Sequence, residues 1–122
     1  NNKKKYLLQS DIRKKMITTL FKNNHRVHVA EYNGLTIEFC NQHNIKHIIR
    51  GIRNSLDFNY EQGIAFSNQS INKNIDTIFI PSKKEYMFIS SSIVKDLIIH
   101  KGELKQFIPQ TSIELINKYH QS

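Results

Sequence analysis

Residues 45–66 read IKHIIRGIRNSLDFNYEQGIAF, and this stretch decides the fold class. It opens with an apolar, β-branched run, Ile45–Ile49, which ends at Arg50-Gly51 and is typical of a buried strand. A helix is predicted over Asp57–Phe66, because an acidic residue at its start is followed by apolar residues available for packing. A second buried strand is predicted at Thr77–Ile80. Since a helix separates the two strands, they are predicted to lie parallel in one sheet.

The rest of the chain continues this alternation of helices and strands. Three serines, Ser90–Ser92, precede apolar residues at helical spacing, and Gly102 is predicted to terminate that helix. The other predicted elements are helices over Asp11–Lys22, Leu35–Cys40 and Ile113–Lys118, a short strand over Val27–Ala30 and a loop over Asn68–Asn74. The pattern predicts an α/β fold with one Rossmann-like parallel sheet flanked by helices. Ligands bind such sheets beyond the carboxyl ends of the strands.

Composition and charge narrow the classes of protein. The chain has 122 residues, 39% of them hydrophobic, which is enough for one domain and argues against a two-domain enzyme. Lys and Arg number 18 and Asp and Glu 10, so the net charge is +8. A balance this basic favours phosphate-bearing partners, either nucleic acids or small phosphorylated ligands. The apolar runs fall far short of the roughly 18 residues of a membrane-spanning helix, so no membrane partner is predicted.

Cys40 is the only cysteine, which excludes an intrachain disulfide and predicts a reducing, cytoplasmic location. Together with His43 and His47 it has a spacing that resembles a metal site. A predicted strand boundary interrupts that spacing, however, and no fourth ligand is evident in the sequence. Cys40 is therefore expected in the core, and no metal-binding residue is predicted.

Two of the four arginines, Arg50 and Arg53, lie within four residues at the end of the first predicted strand. Guanidinium groups match phosphate oxygens bidentately, and Gly51 between them permits a close approach to the backbone. The same spacing also allows the arginines to be solvated or to pair with Asp57 and Glu61. From the spacing alone, both interpretations remain open.

Ser90–Ser92 form a second candidate site, because a helix N-terminus presents free N–H groups to an anion. Ordinary capping by one serine is the alternative. The sequence has no Gly-rich run ending in Lys and Ser or Thr, so a P-loop is excluded.

The motif Arg50-Gly51-Ile52-Arg53, the segment Asp57-Phe58-Asn59-Tyr60-Glu61 and the downstream Ile89–Ser92 together resemble the bacterial phosphopantetheine adenylyltransferases, a family of the nucleotidyltransferase superfamily. The resemblance covers the whole chain, so residues 1–122 are expected to form one nucleotidyltransferase domain, the C-terminal three quarters of the family domain. It implies transfer of AMP from ATP to 4′-phosphopantetheine, giving dephospho-coenzyme A and pyrophosphate, with Mg²⁺. It also implies a homohexamer in the cytoplasm that binds neither nucleic acid nor membrane.

The resemblance also assigns binding residues. It implies that Lys4, Thr36 and Arg50 bind phosphopantetheine. The residues it implies for ATP are Gly51, Ile52, Arg53, Glu61, Tyr86, Met87, Phe88, Ile89, Ser90, Ser91 and Ser92.

One family segment has no counterpart in these residues. The family begins with a strand and a Gly-Thr-Phe-Asp-Pro-like segment that ends in a Gly-His pair, whose histidine stabilises the transition state. Asn1 aligns just after the second strand of that pattern. We expect the chain to lack its first two strands and one helix, because the other motifs are intact; a degenerate copy that cannot catalyse is the alternative. No catalytic residue is therefore assigned.

Two further functions compete with the enzyme. The charge of +8 also suits a non-enzymatic nucleic-acid-binding module, although the sequence has no RNP-like aromatic run. An inactive paralogue would bind the ligands without releasing pyrophosphate.

Overall fold

The computed structural model describes residues 6–120, which fall into two compact units. The sheet unit comprises Asn33–Phe88, and the helical unit comprises residues 6–32 and 89–120. The helices are α1 (Ser10–Leu20), α2 (Thr36–Gln42), α3 (Ser55–Ile71), α4 (Ser91–Ile99) and α5 (Gln110–His120), the strands are β1 (His47–Ile52) and β2 (Asp76–Pro81), and a 3₁₀ turn spans Lys84–Tyr86. The single domain expected over residues 1–122 stays a prediction.

The sheet unit contains the predicted β-α-β arrangement. Strands β1 and β2 pair in parallel, in a register that runs from His47 opposite Asp76 to Ile52 opposite Pro81, and α3 connects them. Parallel neighbours need such a crossover, because a tight turn cannot return the chain in the same direction. The predicted α/β fold with a parallel sheet flanked by helices is confirmed.

The core of the sheet unit lies between α2 and the start of the strands. Ile37 and Cys40 from α2 and Ile75 before β2 are buried, and Ile45 and Ile48 pack against them. The core position predicted for Cys40 is confirmed, and burial raises the pKa of its thiol.

A left-handed residue carries the chain from α2 into this core. Asn44 has φ 54°, and the Ile45 amide donates to the Cys40 carbonyl over 2.9 Å. This is a Schellman ending, in which asparagine takes the position that favours glycine. It places the apolar Ile45 against the core directly after the helix ends.

The two faces of the sheet have different surroundings. Arg50 and Phe79 lie opposite each other in the register and face α3, where the Phe58 and Phe79 rings meet edge to face at 5.4 Å. The other face carries Ile49, Ile78 and Ile80, whose exposed fractions are 63%, 46% and 50%. Since strand side chains alternate between faces, these three isoleucines form one apolar surface. The burial predicted for both strands is therefore wrong in this structure, where no residue of β1 or β2 is fully buried.

In the helical unit, α1 packs against α5. Leu104, Ser112 and Ile116 are buried there. In the part of the chain that the structure describes, every helix is too short or too polar to cross a bilayer.

Three predicted elements are wrong in extent or kind. Val27–Ala30 forms no strand: within residues 6–120 only β1 and β2 pair, and the Val27 amide donates to the Asn24 carbonyl in a turn. An alternating pattern alone cannot make a strand without a partner. β1 does not stop at Arg50-Gly51, because pairing with β2 carries it to Ile52. α3 extends to Ile71, into the loop predicted at Asn68–Asn74, and its C-cap amide bonds to the Asn68 carbonyl.

The residue that ends α4 also differs from the prediction. The Gly102 amide donates to the Leu97 carbonyl over 2.8 Å, but the left-handed residue is Lys101, with φ 56°. Gly102 instead allows the Leu97 side chain to pack close to the backbone, because a Cβ on Gly102 would lie 2.7 Å from Cδ2 of Leu97.

Lys101→Gly is therefore expected to stabilise the protein. A left-handed conformation costs a residue with a Cβ about 1–2 kcal/mol, and part of the gain is lost to the greater freedom of glycine in the unfolded chain. We expect the free energy of unfolding to rise by about 0.5–1 kcal/mol in urea denaturation. Lys95→Gly, inside α4, is the matched control and should lower it by about 1 kcal/mol. Destabilisation by both variants would contradict the role given to Lys101.

Candidate functional site

The carboxyl end of β1 carries two arginines, each held by a carboxylate of α3. Arg53 Nε lies 2.8 Å from Asp57 Oδ2, and Arg53 Nη2 lies 3.1 Å from Oδ1. The Arg53 backbone amide also donates to Asp57 Oδ2, over 3.2 Å. Asp57 therefore fixes both the side chain and the backbone of Arg53.

Arg50 makes the equivalent contact with the next turn of α3. Its Nε and Nη2 lie 2.8 Å and 2.5 Å from the two oxygens of Glu61. The Glu61 side chain is only 12% exposed, whereas that of Arg50 is 49% exposed. The carboxylate thus lies under the arginine, which reaches outward from the sheet.

Asp57 and Glu61 can hold neighbouring arginines because they are four residues apart on one helix face. We call the four side chains Arg50, Arg53, Asp57 and Glu61 the arginine clamp. Of the two interpretations of the arginines, pairing with Asp57 and Glu61 is present in this structure. Their formal charges cancel, so the clamp offers oriented N–H donors more than net positive charge. A guanidinium has five such donors, and binding one carboxylate is compatible with binding a phosphate as well.

The local sequence explains why α3 begins where it places Asp57. Asn54 is the N-cap, and its Oδ1 accepts from the Asp57 amide over 2.9 Å. Asp57 is then in the first turn of the helix, where the positive end of the helix dipole favours a carboxylate. Asp57 was not among the predicted site residues; its spacing of four from Arg53 and three from Asn54 is the signal that could have found it.

The Arg53–Asp57 pair predicts a dependence of stability on pH. Hydrogen bonds from Arg53 hold the pKa of Asp57 below its ordinary value of 3.8. A carboxyl with a lowered pKa in the folded state stabilises that state above its unfolded pKa, and the contribution is lost as pH falls through the folded pKa. The difference in unfolding free energy between the wild type and Asp57→Asn should therefore shrink once pH falls below 3.8. Urea denaturation from about pH 6 to about pH 2.5 measures this, and a constant difference would contradict it.

Gly51 and Ile52 complete the end of β1. Gly51 pairs with Ile80, and within the described residues nothing lies within 4 Å of where a Cβ on Gly51 would stand. Ile52 is half-buried, and its carbonyl accepts from the Ser82 amide over 2.8 Å. The space is therefore open on the Ile80 face of β1, opposite the face that carries Arg50, and the role of Gly51 in binding stays a prediction. The structure brings Arg50, Gly51, Ile52, Arg53 and Glu61 together.

The other predicted site residues of the sheet unit lie at the start of α2 and after β2. Thr36 is the first residue of α2 and is exposed. Tyr86, Met87 and Phe88 follow β2 at the 3₁₀ turn and are about half exposed. Lys4 lies outside the described residues.

The remaining predicted residues, Ile89 and Ser90–Ser92, belong to the helical unit. Ser90 is the N-cap of α4, and its Oγ accepts from the Ile93 amide over 3.2 Å. Ser91 and Ser92 are exposed in the first turn. One serine therefore performs the capping, and the other two hydroxyls lie on the surface.

Within residues 6–120, no three His, Cys, Asp or Glu side chains lie together so that they could hold a metal ion. Asp57 and Glu61, the acidic residues of the candidate site, are each bonded to an arginine. These residues do not fit a protein cage for a divalent cation.

Comparison with known proteins gives consistent matches. The cytidylyltransferase-like family model matches residues 1–97. The chain is 39% identical over 109 residues to the phosphopantetheine adenylyltransferase of Flavobacterium johnsoniae, which covers 89% of this chain and 71% of that protein. It is 40% identical over 110 residues to the phosphopantetheine adenylyltransferase of Flavobacterium psychrophilum, and the match covers 90% of this chain and 72% of that protein. It is 36% identical over 120 residues to the phosphopantetheine adenylyltransferase of Lachnoclostridium phytofermentans, and the match covers 98% of this chain and 74% of that protein.

Proposed function

Because the chain belongs to the phosphopantetheine adenylyltransferases, within the cytidylyltransferase-like family, we propose that it transfers AMP from ATP to 4′-phosphopantetheine. The products are dephospho-coenzyme A and pyrophosphate, and the reaction is a step of coenzyme A biosynthesis. The single observation in the structure that supports this most is the arginine clamp, two guanidinium groups held in fixed orientation at the carboxyl end of β1.

The reaction needs no nucleophile from the protein. A phosphate oxygen of 4′-phosphopantetheine attacks the α-phosphorus of ATP, a new P–O bond forms, and the bond to the leaving pyrophosphate breaks. The protein contributes by positioning two anionic substrates and by stabilising the charge that develops between them. Arginines already oriented by carboxylates suit this task, because they need little reorganisation when the phosphates arrive.

We assign the substrates to residues as the family motif indicates. Lys4, Thr36 and Arg50 bind the phosphopantetheine side. ATP is bound by Gly51, Ile52, Arg53 and Glu61 and by the segment from Tyr86 to Ser92. Within this assignment Glu61 acts through Arg50, whose guanidinium it holds, as well as through its own proximity to ATP.

Mg²⁺ is part of the proposal and enters as a complex with ATP. When bound, it neutralises charge on the phosphate oxygens. The arginine pairing of Asp57 and Glu61 supports this, because both carboxylates of the clamp are already engaged.

We also propose that the enzyme acts in the cytoplasm as a homohexamer, as the family resemblance implies.

The proposed function is tested by measuring pyrophosphate release from ATP in the presence of Mg²⁺. We expect release only when 4′-phosphopantetheine is added, and a rise in melting temperature with ATP or dephospho-coenzyme A. Ligand binding without pyrophosphate release would identify an inactive paralogue. Binding to random DNA that falls steeply with salt, with no nucleotide effect on melting temperature, would identify a nucleic-acid-binding module instead.

A further inference from the structure

We propose that Asp57 is a positioning residue for adenylyl transfer, which holds the Arg53 guanidinium in one orientation for the triphosphate of ATP. This inference rests on the proposed function and adds a residue outside the set assigned to the substrates. It deepens the assignment of Arg53 by naming the side chain through which its geometry is set.

The contacts between the two residues restrict Arg53 at three atoms. Asp57 accepts from Nε, from Nη2 and from the backbone amide of Arg53, over 2.8, 3.1 and 3.2 Å. The first two bonds fix the plane of the guanidinium, and the third fixes the backbone from which the side chain starts. A single surface ion pair leaves both of these variable, whereas this arrangement determines them together.

Asp57 is itself held firmly. Its amide donates to the side chain of Asn54, and it lies in the first turn of the 17-residue helix α3. Its carboxylate is 25% exposed, so solvent reaches it but does not surround it. The orientation of Arg53 is therefore set by the N-terminus of a long helix and not by the flexible side chain alone.

The value of this contact for function is orientation. A partly exposed ion pair contributes little to folding stability, because solvent screens it. An arginine has many rotamers, however, and the entropy lost when it binds a phosphate weakens the complex. Asp57 orders the Arg53 side chain before ATP arrives. Binding of ATP therefore costs less side-chain entropy.

The test measures ATP binding and steady-state kinetics with the full chain. Asp57→Asn keeps the size of the side chain but removes its charge and one of its acceptor oxygens, and we expect the KM for ATP to rise about tenfold while the KM for 4′-phosphopantetheine is unchanged. Asp57→Glu should restore much of the affinity, because a glutamate can also pair with an arginine four residues away.

A double variant distinguishes positioning from a general structural effect. If Asp57 acts through Arg53, the variant with both Arg53→Ala and Asp57→Asn should bind ATP no more weakly than Arg53→Ala alone. Asp11→Asn is the matched control, since it also removes a carboxylate from the first turn of a helix, and its KM for ATP should equal that of the wild type.

The possible failures are separable. If the losses of ATP affinity in Asp57→Asn and Arg53→Ala multiply in the double variant, the two residues act independently and the inference is overturned. Activity of the wild type would still uphold the proposed function. The inference would also be overturned if circular dichroism showed the Asp57→Asn enzyme to be folded and its KM for ATP matched that of the wild type. A wild-type chain that neither binds ATP nor releases pyrophosphate would overturn both.

Discussion

The Arg53→Ala variant is expected to bind ATP at least about a hundredfold more weakly than the wild type. The substitution removes a bidentate donor that the structure orients at the carboxyl end of β1. It also leaves the Asp57 carboxylate without its arginine, so a negative charge then faces the triphosphate. Isothermal titration calorimetry with ATP and Mg²⁺ measures the loss.

The control for this prediction is Arg26→Ala, which lowers the net charge by the same single unit. Arg26 is an exposed residue whose amide donates to Asn24 Oδ1, outside the arginine clamp. We expect its ATP affinity to stay within about twofold of the wild type, because the charge of an exposed side chain is screened by salt. An equal loss in both variants would mean that overall charge, and not local geometry, determines ATP binding.

The Ile37→Ala variant is expected to lose about 3 kcal/mol of folding stability. Ile37 is 1% exposed and lies in the core of the sheet unit with Cys40 and Ile75. Truncation removes three carbons from that core and leaves a cavity. The packed neighbours of α2 can close this cavity only in part. Urea denaturation of the wild type and the variant measures the change.

Ile71→Ala provides the matched control, since Ile71 has the same side chain but is 57% exposed at the last position of α3. Its loss should stay within about 0.5 kcal/mol, because an exposed side chain outside the core contributes little to stability. Equal effects of the two substitutions would show that α2 does not form the core described for the sheet unit.

The elements that could be predicted from the sequence are those decided by local pattern. β1 and β2 are β-branched runs, and α1, α2 and α4 have apolar residues at helical spacing, so their existence follows from periodicity. The segment Val27–Ala30 has an equally regular pattern but forms no strand in this structure. A strand depends on a partner elsewhere in the chain, and its own sequence contains no information about that partner.

The candidate site also contains one contact that is local in sequence and one that depends on tertiary packing. Arg53 and Asp57 are four residues apart across the N-cap of α3, so their pairing is a local possibility that the sequence shows but does not decide. Arg50 and Glu61 are eleven residues apart and meet only because α3 packs on the face of the sheet that carries Arg50. The four residues and their alternative partners are evident from the sequence. Only the tertiary packing could show which partner each arginine takes.

The buried position of Cys40 makes the protein report on its own opening. It is the only cysteine in the chain and is 3% exposed, and burial raises the pKa of its thiol, so a thiol-labelling reagent reacts slowly while the sheet unit is closed. The labelling rate in native buffer then measures how often the core around Ile37 opens, without denaturant and without an engineered cysteine. Ligands that hold this unit closed will slow the modification, which gives a binding assay independent of catalysis.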